Sequence, residues 1–246
     1  MTPSTTICVL TYGDYFSLAQ RCLDSILKYC CRAEYRLVVG ANAVSPETLR
    51  WLEELHATGV IDTLHQSSEN LGKCPMMRRM FADVDTDYIC WFDDDSYVLE
   101  PNALSERLRL ANLAPSSTVM WGHEFYFSEE SNFSTNADVG SFVESSPWYR
   151  GLTPPSWIPG GKGEWNFEGR GVGDGRWFFI TGGCWLIRTA AIRELDWPDK
   201  RLADNCPIKR ADDVILGEAI RQQGWRVTDI GPCGVKINDA PRRGTG

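Results

Sequence analysis

Between residues 5 and about 127, short apolar runs alternate with amphipathic stretches. That alternation is the mark of repeated βαβ units, which build a mostly parallel sheet with helices on its faces. Ile7-Cys-Val-Leu10 is apolar at every position, as a strand covered on both sides must be. Leu18, Cys22, Ile26 and Tyr29 then recur near helical spacing, with Leu23 and Leu27 widening the stripe, and predict a crossover helix. Tyr35-Arg-Leu-Val-Val39 reads as a second strand. Ser45-Pro46 supplies an N-cap and a proline at the first helical position, Leu49, Leu52 and Leu55 face inward, and Gly59 ends the helix. Val60 to His65 is a third short strand, and Asn70-Leu-Gly-Lys73 opens a third helix running to about Phe81. Asp87-Tyr-Ile-Cys-Trp-Phe92 is a fourth apolar strand that stops abruptly at Asp93-Asp94-Asp95.

The second half is organised differently. Thr118-Val-Met-Trp-Gly122 reads as a strand, and the long segment after it is dominated by Ser, Gly, Pro and aromatics. Trp148, Tyr149, Trp157, Trp165, Trp177 and Phe178 are set there among Pro154-Pro155, Gly160-Gly161 and the glycines at 169, 171, 173 and 175. Long loops of this composition serve as lids or binding surfaces. Phe179 to Ile187 predicts a strand, and about Asp213 to Gln222 a helix that Gly224 terminates. The tail from Pro232 to Gly246 contains Arg242-Arg243 and little else expected to fold.

Composition narrows the class. At 246 residues and 43% hydrophobic, the chain is long enough to bury a core. Twenty-five basic against 33 acidic residues give a net charge of −8, which disfavours non-specific attraction to nucleic acid phosphates. A local basic channel of Arg150, Lys162, Arg170 and Arg176 stays compatible with that balance. Nine cysteines with no C-x-x-C among them read as reduced thiols without a zinc site. No apolar run approaches the roughly 20 residues of a membrane span, and the amino terminus lacks a leader pattern. The expectation is a soluble, cytoplasmic protein.

Three clusters carry chemistry. Like charges at Asp93, Asp94 and Asp95, at the carboxyl end of a strand, need compensation by a cation or by donors. Oxygen-only ligands favour Mg²⁺ or Mn²⁺, while a solvated acidic turn is the plain alternative. Asn70, Gly72 and Lys73 precede a helix carrying Arg78 and Arg79, so backbone amides and cations can face an anion such as a diphosphate, or simply solvent. Asp212 and Asp213 stand before a helix with Ile215, Leu216, Ala219 and Ile220 inward; Asp212 reads as its N-cap, and either acid as a general base. The three histidines, His56, His65 and His123, show no metal spacing.

Taken in order, four segments resemble an inverting glycosyltransferase of the GT-A fold, close to family 2. They are Ile7-Cys-Val-Leu-Thr-Tyr-Gly-Asp14 with the helix after it, Asn70-Leu-Gly72 with Met77-Arg78, Tyr88 to Ser96 ending in a D-x-D pattern, and Thr181 to Arg188 combined with Asp212 to Gly217 and Gly224-Trp225. The resemblance implies a Rossmann-like, mostly parallel sheet flanked by helices, plus an acceptor-side subdomain of mixed strands and long loops. It divides a single domain, 1–246, into a nucleotide-sugar half at 5–127, an acceptor half at 128–231 and a tail.

It implies roles as well. Thr11 and Tyr12 would cradle the nucleoside, with Asn42 where the second strand usually ends in an acidic residue that helps read the base. Asn70, Gly72, Lys73, Arg78 and Arg79 would face the diphosphate, with Asp93 and Asp94 on the donor side. Asp95, with Asp93, would ligate Mn²⁺ or Mg²⁺. Asp213, matching the second residue of the family's E-D pair, or else Asp212, would deprotonate the acceptor, and Trp177, Gly182, Gly183 and Trp185 would line the acceptor side. Some relatives use a late histidine as a metal ligand; nothing after His123 matches it, and Asp239 is the possible stand-in. The implied activity is sugar transfer from a nucleotide donor, a UDP-sugar favoured, to a hydroxyl of a saccharide, lipid-linked glycan, protein or modified nucleobase. A nucleotidyltransferase is the rival enzyme, but Leu10-Thr-Tyr-Gly-Asp14 lacks its glycine density. A carbohydrate-binding protein without turnover is the rival from another class, against which intact Asp93, Asp95 and Asp213 count.

Overall fold

The computed structural model describes residues 4–127, 177–200, 212–231 and 233–237. The apolar runs become inner strands: β1 is Thr5–Gly13, β2 Tyr35–Val44, β3 Thr63–Ser67 and β4 Tyr88–Asp93. Between them lie α1 at Phe16–Tyr29, α2 at Pro46–Ala57 and α3 at Lys73–Ala82. Then follow β5 at Tyr97–Val98, α4 at Ala103–Leu113, β6 at Thr118–Phe127, β7 at Trp177–Arg188 and α5 at Thr189–Leu195. The last described elements are α6 at Asp212–Gln222, β8 at Arg226–Asp229 and β9 at Val235–Lys236.

Seven strands make one sheet in the order β3-β2-β1-β4-β7-β6-β8. β1 runs parallel to β2 and to β4, β2 to β3, and β6 to β8. β7 is the inverted strand, antiparallel to both β4 and β6. The mostly parallel, helix-flanked sheet of the sequence reading is what forms. The boundary read at residue 127 falls at the end of β6, whose partner β7 belongs to the same sheet.

Strand periodicity sends alternate side chains to opposite faces, and each face has its own core. Cys8, Leu10, Ile89 and Trp91 pack with the buried sides of α3, α5 and α6. Ile7, Val9, Tyr88, Cys90 and Phe92 pack with α1, α2 and α4. β2 extends past the expected Val39 because Gly40, Ala41 and Asn42 keep pairing with Leu10, Thr11 and Tyr12. Gly40 is needed where α3 crosses closely, since a Cβ there would lie 2.6 Å from the Met80 sulfur. The tail folds further than expected: Tyr97 and Val98 pair antiparallel with Lys236 and Val235.

Candidate active site

The carboxyl ends of β1, β2 and β4 lie at one edge of the sheet, where the starts of α3 and α6 also converge. Trp91 and Asp93, two apart on β4, share the α3 and α6 face, and the Trp91 indole N–H donates to Asp93 Oδ1 at 3.0 Å. Lys73, the first residue of α3, donates from Nζ to Asp93 Oδ2 at 3.1 Å and to the Gly182 carbonyl at 3.5 Å. The same Nζ lies 3.1 Å from Asp212 Oδ2 and 5.7 Å from the centre of a Trp91 ring. Asp212 and Asp213 form the first turn of α6, where the helix dipole favours negative charge. Asp213 Oδ2 accepts the Gly182 N–H at 2.9 Å.

This group is part-shielded from water, with side-chain exposures of 26% for Lys73 and 18% for both Asp93 and Asp212. Burial opposes the charge on Lys73, but the carboxylates of Asp212, Asp93 and Asp213 outweigh it and hold the ammonium above its ordinary pKa. Gly182 makes the packing possible, because a Cβ there would lie 3.1 Å from Lys73 Nζ and 3.3 Å from Asp213 Oδ2. The space this glycine leaves is taken by Lys73 and Asp213, whereas the sequence reading kept it for an acceptor.

Lys73 is delivered by the loop before it. α3 begins at Lys73, three residues later than the sequence suggested, with Gly72 before it at a φ of 86° that favours glycine. Asn42 is 2% exposed, and its amide is spent on this loop. Its Nδ2 donates to Asn70 Oδ1 at 3.0 Å and to the Gly72 carbonyl at 3.4 Å, while its Oδ1 accepts the Leu71 N–H at 2.9 Å. Asn70 Oδ1 also accepts the Gly72 N–H at 2.9 Å. Asn42, expected to help read the base, clamps this loop, and Asn70 serves the same loop.

Other expected contacts lie elsewhere. The Arg78 guanidinium donates to the carbonyls of Asp196 and Pro198 at 3.1 and 2.6 Å and to Asp196 Oδ1 at 2.9 Å, pinning the end of α5. Arg79 is exposed and its charge bears on His65 in β3. Neither arginine faces the acid cluster. Thr11, expected to cradle the nucleoside, is 1% exposed and its hydroxyl donates to the Gly40 carbonyl, tying β1 to β2. Tyr12, half-buried, packs edge-on to Tyr15 and donates its N–H to Asp94 Oδ2 at 3.4 Å. Asp94 and Asp95 are 1% and 7% exposed, so the acidic turn is a buried one.

Trp185, expected on the acceptor side, is 1% exposed. It stacks on Trp91 at 5.8 Å and 15°, with Phe81 edge-on to both, so its ring is core under the site. Gly183 is buried in β7. Trp177 opens β7, but its ring lies outside the described residues, as do Asp239 and the aromatic loop with Trp148, Tyr149, Trp157 and Trp165. Trp91 is the contributor that sequence reading missed; its signal is the shared strand face with Asp93.

Among the described residues, no three histidine, cysteine or acidic side chains are grouped to hold a metal ion by themselves. Asp93 and Asp95 are hard oxygen donors of the kind that Mg²⁺ or Mn²⁺ takes one or two at a time, completing its shell with phosphate oxygens and water. Both Asp93 oxygens already accept a hydrogen bond, one from the Trp91 indole and one from Lys73, so an ion here would share that carboxylate with them. All eight described cysteines are free thiols. No helix among the described residues is long and apolar enough to cross a membrane.

A family model described as glycosyltransferase like family 2 matches residues 3–229. No curated protein sequence matches the chain. Among solved structures, the mannosyltransferase PcManGT from Pyrobaculum calidifontis, in complex with GDP-Man and Mn²⁺, superposes with a TM-score of 0.64 at 15% identity, covering 99% of this chain and 59% of that one. S. aureus TarS 1-349 in complex with UDP-GlcNAc gives 0.56 at 14%, covering 93% of this chain and 56% of that one. The chain therefore spans less than two thirds of either structure, and likeness at these identities is one of fold.

Proposed function

The chain belongs to the family 2-like glycosyltransferases and has their GT-A fold; on that premise we propose that it moves a sugar from a UDP-sugar to an acceptor hydroxyl with inversion, assisted by a divalent cation. The observation that carries the reading is the union, at one sheet edge, of Asp93 from the acidic turn with Asp212 and Asp213 from α6, through Lys73 and Gly182.

In this reading the acceptor oxygen attacks the anomeric carbon while the carbon–oxygen bond to the diphosphate breaks and its electron pair leaves with the diphosphate. A single displacement from the opposite face inverts the anomeric centre. Asp213 takes the acceptor proton. Asp213 is preferred to Asp212 because Asp212 Oδ2 lies 3.1 Å from the Lys73 ammonium, while the Gly182 N–H donates to Asp213 Oδ2 and orients that carboxylate. Asp95 and Asp93 would hold Mn²⁺ or Mg²⁺, and that ion, when bound, supplies positive charge to the departing diphosphate. Tyr12, carried on the turn that Asp94 ties down, would face the nucleoside. Free thiols throughout the described residues support a cytoplasmic setting.

A thermal-shift panel of UDP-, GDP- and CMP-sugars with and without Mn²⁺ tests the class and the donor together. Ligand at about 100 times its Kd stabilises by roughly 2.7 kcal/mol, a rise of about 5–10 °C for a chain of this size. The UDP-sugar with Mn²⁺ is expected to give that rise, and Asp213→Asn to keep it while transfer falls by about 10²-fold or more. A panel without any shift, or an Asp213→Asn enzyme at full rate, overturns the reading.

A further inference from the structure

We propose that Lys73 is a positioning residue: its ammonium straps the first turn of α6 to the end of β4, setting the Asp213 carboxylate through Asp212 and Gly182. This rests on the proposed role of Asp213. An ammonium has three N–H donors, and within 3.5 Å of Lys73 Nζ stand three acceptors, Asp93 Oδ2, Asp212 Oδ2 and the Gly182 carbonyl. The donor set is matched by groups from three elements far apart in sequence.

Gly182 is held at both ends, its carbonyl by Lys73 and its N–H by Asp213. Lys73, Asp212, Asp213 and Gly182 thus close a ring in which the ammonium is the shared corner. Asp93 and Asp212 oxygens, each 3.1 Å from Nζ, are no more than twice that distance apart. Without the ammonium between them these like charges repel, and α6 loses its tie to the strand that carries the acidic turn. The corner is fixed from behind as well. The Asn42 and Asn70 amides hold the loop that presents Lys73, and the Trp91 indole fixes the second oxygen of Asp93.

A lysine that instead gripped the donor phosphates would govern donor affinity; a strap governs the rate of the bound complex. The test compares Lys73→Met, Lys73→Arg, Asp212→Asn and the Lys73→Met/Asp212→Asn double variant, reading UDP affinity with Mn²⁺ by calorimetry and the kcat and donor KM of UDP release from a UDP-sugar. Misplacing a catalytic group by about 1 Å costs on the order of 10²-fold, so Lys73→Met is expected to lose roughly 10–10² in kcat while UDP affinity stays within about threefold. Lys73→Arg, which also reaches two carboxylates, restores most of the rate. The double variant is no slower than the slower single one.

A raised donor KM with unchanged kcat, or multiplying losses in the double variant, overturns the proposal. Urea unfolding of the same four proteins needs no activity, and non-additive losses there are expected even if no sugar is transferred; additive losses there overturn the strap by themselves. Lys73→Gln replaces the methionine variant if the latter does not fold.

Discussion

Arg78→Met separates a phosphate-binding arginine from a scaffold one. Methionine keeps an unbranched apolar stem and removes the guanidinium, which makes three hydrogen bonds to residues 118–120 positions away. The Asp196 carboxylate is 72% exposed and Arg78 35%, so that ion pair is worth about 0–1 kcal/mol after screening. The two carbonyls at 3.1 and 2.6 Å contribute about 0.5–1.5 kcal/mol each, because water replaces the lost donor only in part. The sum is about 2 kcal/mol, or roughly 4–8 °C of Tm in a protein of this length. A loss of that size leaves the fold standing, so ligand binding is measurable on the same sample. If Arg78 acts only on the end of α5, UDP affinity in the presence of Mn²⁺ stays within about twofold. Removing a charge-assisted bond to phosphate would cost about 1.5–3 kcal/mol, a 10-fold to 150-fold weaker Kd. Unchanged Tm together with that weaker Kd would refute the assignment.

Asn42→Asp removes two donated bonds from a buried side chain and sets a carboxylate against Asn70 Oδ1 and the Gly72 carbonyl. The expected loss is about 2–4 kcal/mol in urea unfolding, and a change of base preference at unchanged stability would instead make Asn42 a base reader. Alkaline pH tests the buried acids: burial pushes the Cys30 thiol up from an ordinary 9.0 to about 12 and the Tyr35 phenol up from 10.0 to about 12. The folded chain keeps these protons after the unfolded chain has lost them, so their stabilisation is full below about pH 9 and falls as pH rises toward 12. The slope is at most about 1.4 kcal/mol per pH unit per group. Urea unfolding at pH 8 and 10.5 reads it, and equal stability at both refutes it.

Which parts were legible in the sequence follows from burial. β1 and β4 are continuous apolar runs because both faces of the sheet are covered, and that pattern is visible in one dimension. The same coverage misled at Trp185: an aromatic beside a chemical motif reads as a ligand platform, yet in a central strand either face is core. Arg78 and Arg79 read as anion ligands because they are cations on the helix that follows Asn70-Leu-Gly-Lys73. On that helix Arg78 lies five residues after Lys73, about 140° round the axis. A side chain there cannot share the face that Lys73 presents. Asn42 was legible as a departure from the acidic pattern, but its partners come from a loop 28–30 residues later, and no local signal reports such pairing.

The inverted strand explains why Gly182 is where it is. In a wholly parallel sheet the carboxyl edge receives only strand ends, each followed by a helix that leaves the site. β7 runs the other way, and because Cys184 pairs with Phe92, the residues just before Cys184 lie level with Asp93 and just past it, at the end of β4. A strand's beginning thus meets a strand's end, and the Gly182 peptide groups become available on the same side as the acidic turn. α6 starts at this edge as well, so its first-turn carboxylates and the Lys73 ammonium, from the start of α3, meet over that glycine. Reversal of one strand brings a donor-side acid and an acceptor-side acid within reach of a single lysine, and a Cβ at position 182 would press on that lysine at 3.1 Å and on Asp213 at 3.3 Å.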